Sequence, residues 1–500
     1  MRMMILLLVV GGVIRGILAS QVEIGWGEVD ITPPPTRKIP LDGQYYQRIA
    51  KGVHLPIMFT AVAVRNGDDY FLTGSIDNVS VREPWMREVR SLLKKRIPGL
   101  DVSRVSINAI HTHCAPMIGS QGLLPEASRR KEENDDIWGT QTYGEFATPR
   151  VVEALVRAWK GLKPGSVARA KGHASVGHCR ISMYRDGHGE MYGETARPDF
   201  AGMSDGEDPT VGIVFTHDKA GKKTGAIFNV CCPAQVLEAT YRVSSDIAGA
   251  LRRKMKARYG DGFGVIYQPA AAGCQSPRDL VRGHREPTDG WHEDTCDLLS
   301  DRLVKCAEEA QVFPAETNPV VRCSSRRVTA RRRRVTAGDV AAAKKELSEL
   351  RSKRSDKEAF SEFLAEVRAN EDKGGPGPYD SKYHPFVLAE IAKGVLQRAA
   401  DQDERPTLDY ELNVMRLGDV TFVTCPFEPY LLYGQVVKAR SPAEQTFIME
   451  LCCGDYGYIP SPVVVKSGAY GSGVNNGEIG PDGGYQFFDE AVIGLTRLFR

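Results

Sequence analysis

Two histidines, His111 and His113, follow an alternating apolar segment, Val105–Ile110, and lie two residues apart. Side chains at i and i+2 of a strand point to the same face, so both imidazoles would emerge together where the strand ends. Such a pair can bind a divalent cation with one nitrogen and transfer a proton with another, provided that further ligands come from elsewhere in the chain. The H-x-H spacing is weak by itself, and taken alone it favours loop histidines or buried core histidines.

The composition provides no general attraction for a polyanion. The 500 residues include 65 Lys and Arg against 63 Asp and Glu, which gives a formal net charge of +2. A charge this small creates no global field for nucleic acid or an anionic surface, so binding specificity must be local. We expect no nucleic-acid partner, and the sequence leaves the oligomeric state open.

The amino terminus has the pattern of an export signal. An apolar run from Met3 to Ile14 precedes small residues at positions 19 and 20, and it is too short to span a bilayer comfortably. We predict that residues 1–20 are a signal peptide and that the mature protein, 21–500, is secreted or periplasmic. Because Arg15 lies in the usual cleavage region, a short uncleaved anchor is the alternative.

Eleven cysteines are distributed without a C-x-x-C pair or a regular spacing. An odd number leaves at least one thiol unpaired within the chain. Several cysteines lie beside candidate site segments, including the adjacent pairs Cys231-Cys232 and Cys452-Cys453. The pattern indicates buried thiols or metal ligands rather than a disulfide scaffold.

Strand-like and helical segments alternate in the first half of the chain, which indicates an α/β core. The predicted strands are Val22–Thr32, Phe59–Val64, Tyr70–Ser75, Val105–Ile110, Gly212–Thr216, Gly225–Val230 and Val265–Gln268. The predicted helices are Pro84–Lys95, Thr148–Leu162 and Ile247–Tyr259.

The second half contains an insertion between sheet segments. An Arg-rich stretch, Val321–Val335, is typical of an edge strand with one solvated face, and a phosphate-binding stripe is the alternative. Residues 336–401 are rich in Ala, Glu, Lys and Leu, and Thr336 and Asp339 have capping-box spacing, so we predict an inserted helical hairpin. The remaining predicted segments are strands over Tyr410–Leu417, Val420–Thr424 and Thr446–Leu451 and a helix over Phe487–Phe499.

Seven short motifs follow one another along the chain: Gly25–Pro33, Ser75–Asp77, Ala109–Pro116, Ser244–Gly249, Gly273–Pro277, Pro426–Glu428 and Gly457–Ser461. In this order they resemble motifs of the catalytic domain of the neutral/alkaline non-lysosomal ceramidase family. The resemblance implies a mixed-sheet α/β domain that carries the helical insertion. We expect the chain to lack the carboxyl-terminal β-sandwich domain of that family.

The resemblance also implies a zinc site. In the family two histidines, a glutamate and a tyrosine bind Zn²⁺, and the matching positions here are His111, Cys232, Glu428 and Tyr458. Cys232, followed by Pro233, stands where the family has the histidine of an H-P dipeptide. A thiolate is a good zinc ligand, but its negative charge would make a bound water less acidic.

Four further positions match residues of the family's active site. His113 matches the second histidine of its H-T-H segment, which suits proton transfer to a departing amine. Arg180 and Tyr470 match residues that would hold a tetrahedral oxyanion. Ser276 matches a serine of the family, although its surroundings, Gly273–Arg278, differ, so a loop serine before a proline is the alternative.

These expectations lead to three hypotheses. The first is an exported zinc-dependent hydrolase that cleaves an N-acyl, ceramide-like amide, either a small molecule or a lipid, with peripheral membrane contact left open. The second is a non-catalytic relative that keeps the fold as a binding module, which the changes at Cys232 and around Ser276 support. The third is a redox or metal-storage role for the adjacent cysteines.

Overall fold

The computed structural model describes residues 21–46, 48–118, 137–283, 293–372 and 383–500. The predicted signal peptide and the Gly- and Pro-rich break at 374–378 lie outside these ranges. Within them, every helix is too short or too polar to cross a membrane.

The larger of two main sheets contains nine strands among the described residues. In chain order they are β1 (Glu23–Asp30), β2 (Met58–Asn66), β3 (Asp69–Ile76), β4 (Val105–Ala109), β5 (Lys163–His173), β6 (Thr210–Asp218), β7 (Lys223–Val230), β8 (Gly264–Pro269) and β9 (Gln311–Val312). Their spatial order is β8-β7-β6-β5-β1-β2-β3-β4, and β9 pairs with β5. The β3/β4 and β7/β8 pairs are parallel and the others antiparallel, which confirms the predicted α/β class with a mixed sheet.

The second main sheet has four described strands in the order β10-β11-β12-β13. They are β10 (Val321–Arg331), β11 (Thr407–Leu417), β12 (Val420–Thr424) and β13 (Gln445–Met449). The β12/β13 pair is parallel. Because β10 is the first strand of this row, the prediction of an Arg-rich edge strand is confirmed.

The described helices pack against the two sheets or against one another. They are α1 (Glu83–Arg96), α2 (Thr140–Lys160), α3 (Asp246–Tyr259), α4 (Leu280–Gly283), α5 (Glu293–Glu309), α6 (Ala337–Lys353), α7 (Asp356–Asp372), α8 (Pro385–Asp401), α9 (Leu431–Arg440), α10 (Pro462–Ser467) and α11 (Pro481–Leu498). Shorter strands pair locally, among them His178–Cys179 with Gln275–Ser276 and Glu428–Pro429 with Tyr458–Ile459.

The helical insertion contains three described helices, α6 to α8, instead of the two of a hairpin. The capping box of Thr336 and Asp339 is present at the start of α6, as predicted. Arg354 then adopts an extended conformation and ends α6. Ser355 and Glu358 form a second reciprocal cap, with Glu358 N to Ser355 Oγ at 3.2 Å and Ser355 N to Glu358 Oε2 at 2.7 Å, so a new helix begins.

The carboxyl ends of the parallel strands bring the motif segments together. The end of β4 is joined to the segment after β13 by the Ala109 N to Leu451 O hydrogen bond of 3.2 Å. The end of β8 is joined to the same segment by the Glu450 N to Pro269 O hydrogen bond of 3.0 Å. In open α/β sheets this edge is where ligands bind, so the fold itself points to the site.

Two of the seven motifs have a structural role. A Cβ at Gly25 or Gly27 would lie 2.0 Å from a carbonyl oxygen of α2, so these glycines let the helix pack directly on β1. Asp77 is fully buried and accepts two hydrogen bonds of 2.9 Å from Arg252 of α3 and one of 2.7 Å from Met58 N. This carboxylate therefore anchors α3 to the sheet.

Candidate active site

A cavity of about 740 Å³ opens at the carboxyl ends of the strands. Five of the predicted site residues line it: His111, His113, Glu428, Tyr458 and Tyr470. The other three, Cys232, Arg180 and Ser276, are buried and do not belong to the lining of this cavity. The structure therefore brings together five residues that are far apart in the sequence.

His111 is held in a defined orientation. Its backbone φ of 65° lies in the left-handed region, which is uncommon for a residue with a side chain. Its Nδ1 donates to the Val79 carbonyl at 2.8 Å, because a carbonyl can only accept, and Nε2 lies 3.3 Å from Glu428 Oε2. Burial lowers the pKa of His111, but the Glu428 carboxylate and the Val79 carbonyl outweigh this effect and raise it above its usual value.

The His111 and Glu428 pair suits a shared cation. Two ligands of one tetrahedral zinc, each roughly 2.0–2.2 Å from the ion, lie roughly 3.3–3.6 Å from one another. The separation of 3.3 Å between Nε2 and Oε2 fits this geometry. In the described ranges, however, no three His, Cys, Asp or Glu side chains are grouped closely enough to form a metal site. Two of the predicted ligands thus fit as they stand.

Cys232 is hydrogen-bonded elsewhere and does not line the cavity. Its thiol donates to the Val176 carbonyl at 3.1 Å, and the residue is 0% exposed within an apolar cluster. Burial raises the pKa of the Cys232 thiol well above its usual value. Binding a metal would require the side chain to leave this hydrogen bond, so its role as a ligand stays a prediction.

The adjacent cysteine pairs are reduced here, and all eleven cysteines have free thiols. The Sγ atoms of Cys452 and Cys453 are 3.8 Å apart. The Cys231 thiol donates to the Ala271 carbonyl at 3.2 Å. These thiols are buried, and they make local contacts.

Each ring nitrogen of His113 lies close to a polar side chain. The amide nitrogen of Gln235 lies 2.6 Å from Nε2, and Glu238 Oε2 lies 3.4 Å from Nδ1. With the amide N–H donated to Nε2, the ring proton is on Nδ1, which lies near the carboxylate but has no hydrogen-bond partner among the described residues. Burial lowers the pKa of His113 well below its usual value, and His111, Arg48 and Arg180 act in the same direction. The imidazole is therefore neutral.

A glycine makes room for this ring. Gly43 has a φ of 95°, and a Cβ there would lie 2.3 Å from His113 Cγ. Both the backbone conformation and the close approach exclude a side chain at this position.

Glu238 connects His113 to Ser276 through Tyr192. The Tyr192 hydroxyl lies 3.3 Å from Glu238 Oε1 and 3.3 Å from Ser276 Oγ. Ser276 Oγ also accepts a hydrogen bond of 3.2 Å from Arg278 N. The side chains of His113, Glu238, Tyr192 and Ser276 thus form a polar row that begins with His113 at the cavity and ends with the buried Ser276.

Arg180 lies behind the two cavity tyrosines. Its Nη2 donates to the Gly273 carbonyl at 3.0 Å and to the Tyr458 hydroxyl at 3.2 Å. The guanidinium carbon is 5.9 Å from the ring centroids of both Tyr458 and Tyr470. Burial raises the pKa of Tyr470, while hydrogen bonds with Tyr45 and Tyr458 and the charge of Arg180 oppose that rise.

Sequence reasoning missed Glu238, Tyr192 and Glu450. Glu450 accepts a 2.5 Å hydrogen bond from Ala272 N, and burial, followed by the charge of Glu428, raises its pKa well above the usual value. Glu238 and Glu450 each stand next to large apolar residues in the sequence, and an acidic residue in such a run is a usable signal. Tyr192 carries no comparable signal.

Comparison with known proteins supports the fold assignment. No protein-family model and no curated protein sequence matches this chain. Solved structures do match it, and two of them each have a TM-score of 0.65 and cover 96% of this chain and 75% of theirs. One is a ceramidase complexed with C2, 16% identical, and the other is the neutral ceramidase of Pseudomonas aeruginosa, 17% identical. The resemblance predicted from the seven motifs is thus confirmed in three dimensions, and the chain has the fold of the neutral ceramidases.

Proposed function

We propose that the protein is an amide hydrolase of the ceramidase type, which cleaves an N-acyl amide in the cavity described above. One observation carries this proposal: His111, His113 and Glu428 meet Tyr458 and Tyr470 on a single cavity of that fold. We also propose that the protein is exported, because residues 1–20 have the pattern of a signal peptide.

In this proposal His113 moves the proton. The Nε2 lone pair exchanges its contact with Gln235 for the attacking water, takes a proton from it and returns that proton to the departing amine as the C–N bond breaks. Glu238 lies on the Nδ1 side of the ring, where its charge would stabilise the imidazolium that forms between the two transfers. A buried carboxylate 3.4 Å from Nδ1 suits that role.

Tyr470 and Arg180 stabilise the oxyanion. Tyr470 lines the cavity, where its hydroxyl can donate to the oxygen that gains charge. Arg180 lies behind the two cavity tyrosines and favours negative charge in front of it without contacting the substrate. We assign Ser276 to the support of Tyr192, because its hydroxyl is fully buried.

His111, Glu428 and Tyr458 would hold Zn²⁺, with Cys232 as a fourth ligand after its thiolate turns away from Val176. When bound, the metal polarises the substrate carbonyl and makes water more acidic. Because His111 Nδ1 donates its hydrogen to the Val79 carbonyl, the lone pair of Nε2 is available to bind the metal, as in other metal-binding histidines.

A second candidate function is a binding module that has lost catalysis. The buried positions of Cys232 and Ser276 favour it, since two residues matched to the family's active site do not reach the cavity.

An amide screen separates the two functions. We expect the purified protein to hydrolyse at least one N-acyl amide, to lose that activity on dialysis against a chelator and to regain it with Zn²⁺. Release of the free amine from ceramide and from water-soluble N-acyl amides is the measurement. Full activity after metal removal would contradict the metal assignment, and turnover of no amide would favour the binding module.

Cys232 provides a second test. We expect Cys232→Ala to lower zinc occupancy, because loss of one ligand leaves the ion more labile, and Cys232→His to retain the metal. Metal content per chain, measured after gel filtration, is the readout, with Cys231→Ala as the matched control for loss of a neighbouring buried thiol. Unchanged occupancy in Cys232→Ala would show that the thiol only hydrogen-bonds to Val176.

A further inference from the structure

The helical insertion supplies part of the wall of the active-site cavity. The residues of α8 that line it are Val387, Glu390, Ile391, Lys393, Gly394, Gln397 and Arg398. Most of them follow the i, i+3, i+4, i+7 spacing of a single helical face. The insertion is therefore in a position to select the substrate.

The cavity side of α8 carries charged and polar side chains beside its aliphatic ones. Glu390 Oε1 lies 2.7 Å from Lys393 Nζ, and the same ammonium lies 2.9 Å from Asp356 Oδ2 of α7. These groups are only partly buried, and Gln397 is exposed to the cavity. The charges thus remain in contact with solvent while the cavity is empty.

A second ion pair lies on another part of the wall. Arg82 Nη1 is 3.2 Å from Asp455 Oδ2, and both residues line the cavity together with Asp42. The aliphatic side chains among the described lining residues are Val79, Met117, Val387 and Ile391, and the rings of Tyr45, Tyr456, Tyr458 and Tyr470 also line the cavity. Along α8 itself, an alkyl chain would find only Val387 and Ile391 as aliphatic partners among the described lining residues.

Burial of a long alkyl chain against this wall is unfavourable. An alkyl chain gains free energy in proportion to the apolar surface that leaves water. Covering Glu390, Lys393 or Arg82 with methylene groups would remove water from charges without replacing its hydrogen bonds. Hydroxyl, amide or ionic groups of a substrate would instead replace that water.

We infer that the cavity takes a polar, water-soluble N-acyl amide whose arm along α8 forms hydrogen bonds, rather than a lipid with two long alkyl chains. This inference rests on the proposed amide hydrolase and specifies its substrate class. The polar face of α8 selects against long chains.

The test uses N-acetyl, N-octanoyl and N-palmitoyl derivatives of one polar amine, assayed in the same detergent. We expect kcat/KM of the wild-type protein to fall at least tenfold from the acetyl to the palmitoyl compound. The double variant Glu390→Met/Gln397→Met should reduce that ratio severalfold, since it makes the α8 face apolar and leaves the Lys393 and Asp356 pair in place.

The matched control is Lys345→Met/Glu349→Met, which replaces an exposed i,i+4 ion pair on α6. It should leave the chain-length ratio of the wild type unchanged. A wild-type kcat/KM that rises with chain length would overturn the inference and leave the amide hydrolase standing. Turnover of no amide would overturn the proposed function first, and the inference with it, so the two failures are distinguishable. The wild-type series decides the question even if the double variant does not fold.

Discussion

Replacing His113 with Asn is expected to lower kcat by about 10²- to 10⁴-fold, which is the usual contribution of a general acid–base group. Asn keeps a polar side chain beside Gln235 and Glu238 but cannot accept and return a proton near neutral pH. Amine release from the best N-acyl amide substrate, at saturating concentration, is the measurement.

The matched control for His113 is His217→Asn. His217 lies in β6 and is not part of the cavity lining, so its replacement should leave kcat within about twofold, the scale of an uninvolved surface change. Zinc content should be the same in both variants. A His113→Asn protein that is fully active would exclude His113 as the group that transfers the proton.

The strands next to the predicted site could be predicted from the sequence. The segment predicted over Val105–Ile110 is β4, Val105–Ala109, and the segment predicted over Val420–Thr424 is β12 with identical bounds. Every residue of both strands is buried, and their Val, Ile and Phe residues produced the apolar pattern that the prediction used.

Helix boundaries were harder to predict from the sequence. The helix predicted to begin at Thr148 begins at Thr140, and Pro149 lies inside it. A proline is best tolerated in the first turn of a helix, where its missing N–H costs nothing. Tertiary packing overrides this preference, because α2 is held against β1 through contacts at Gly25 and Gly27.

Strand β5 was missed for a related reason. The sequence Lys163–His173 contains a proline and two glycines and lacks clean alternation, so it has weak strand character. It forms because β1, β6 and β9 pair with it, and such partners cannot be read from the segment itself.

The residues of the active site also differ in how well the sequence predicts them. His111, His113, Glu428 and the tyrosines belong to recognisable motifs, whereas Glu238 reaches His113 only because the chain after β7 returns beside β4, as the Ala234 N to Ile110 O hydrogen bond of 3.0 Å shows. Contacts of this kind are long-range and depend on the register of whole segments. Sequence motifs therefore identified the groups that face the cavity and missed those that support them.

The supporting role of Glu238 leads to the second large effect. Replacing Glu238 with Gln is expected to lower kcat by about 10- to 100-fold, the scale seen when a group that orients a functional histidine is lost. The amide has nearly the same size, but it no longer stabilises the imidazolium of His113 and can present an N–H to Nδ1 instead of an acceptor. Glu238 is 0% exposed and does not line the cavity, so KM should change little.

Further variants separate orientation of His113 from a merely structural role. Glu238→Asp keeps the charge and should recover part of the lost kcat, because a carboxylate still faces Nδ1 at a greater distance. Tyr192→Phe removes the hydroxyl 3.3 Å from Glu238 Oε1 and leaves the His113 contact in place, so its effect on kcat should be smaller than that of Glu238→Gln. Thermal unfolding of all three proteins monitors the fold. If Glu238→Gln lowers the melting temperature but leaves kcat intact, the carboxylate serves only to stabilise the buried row.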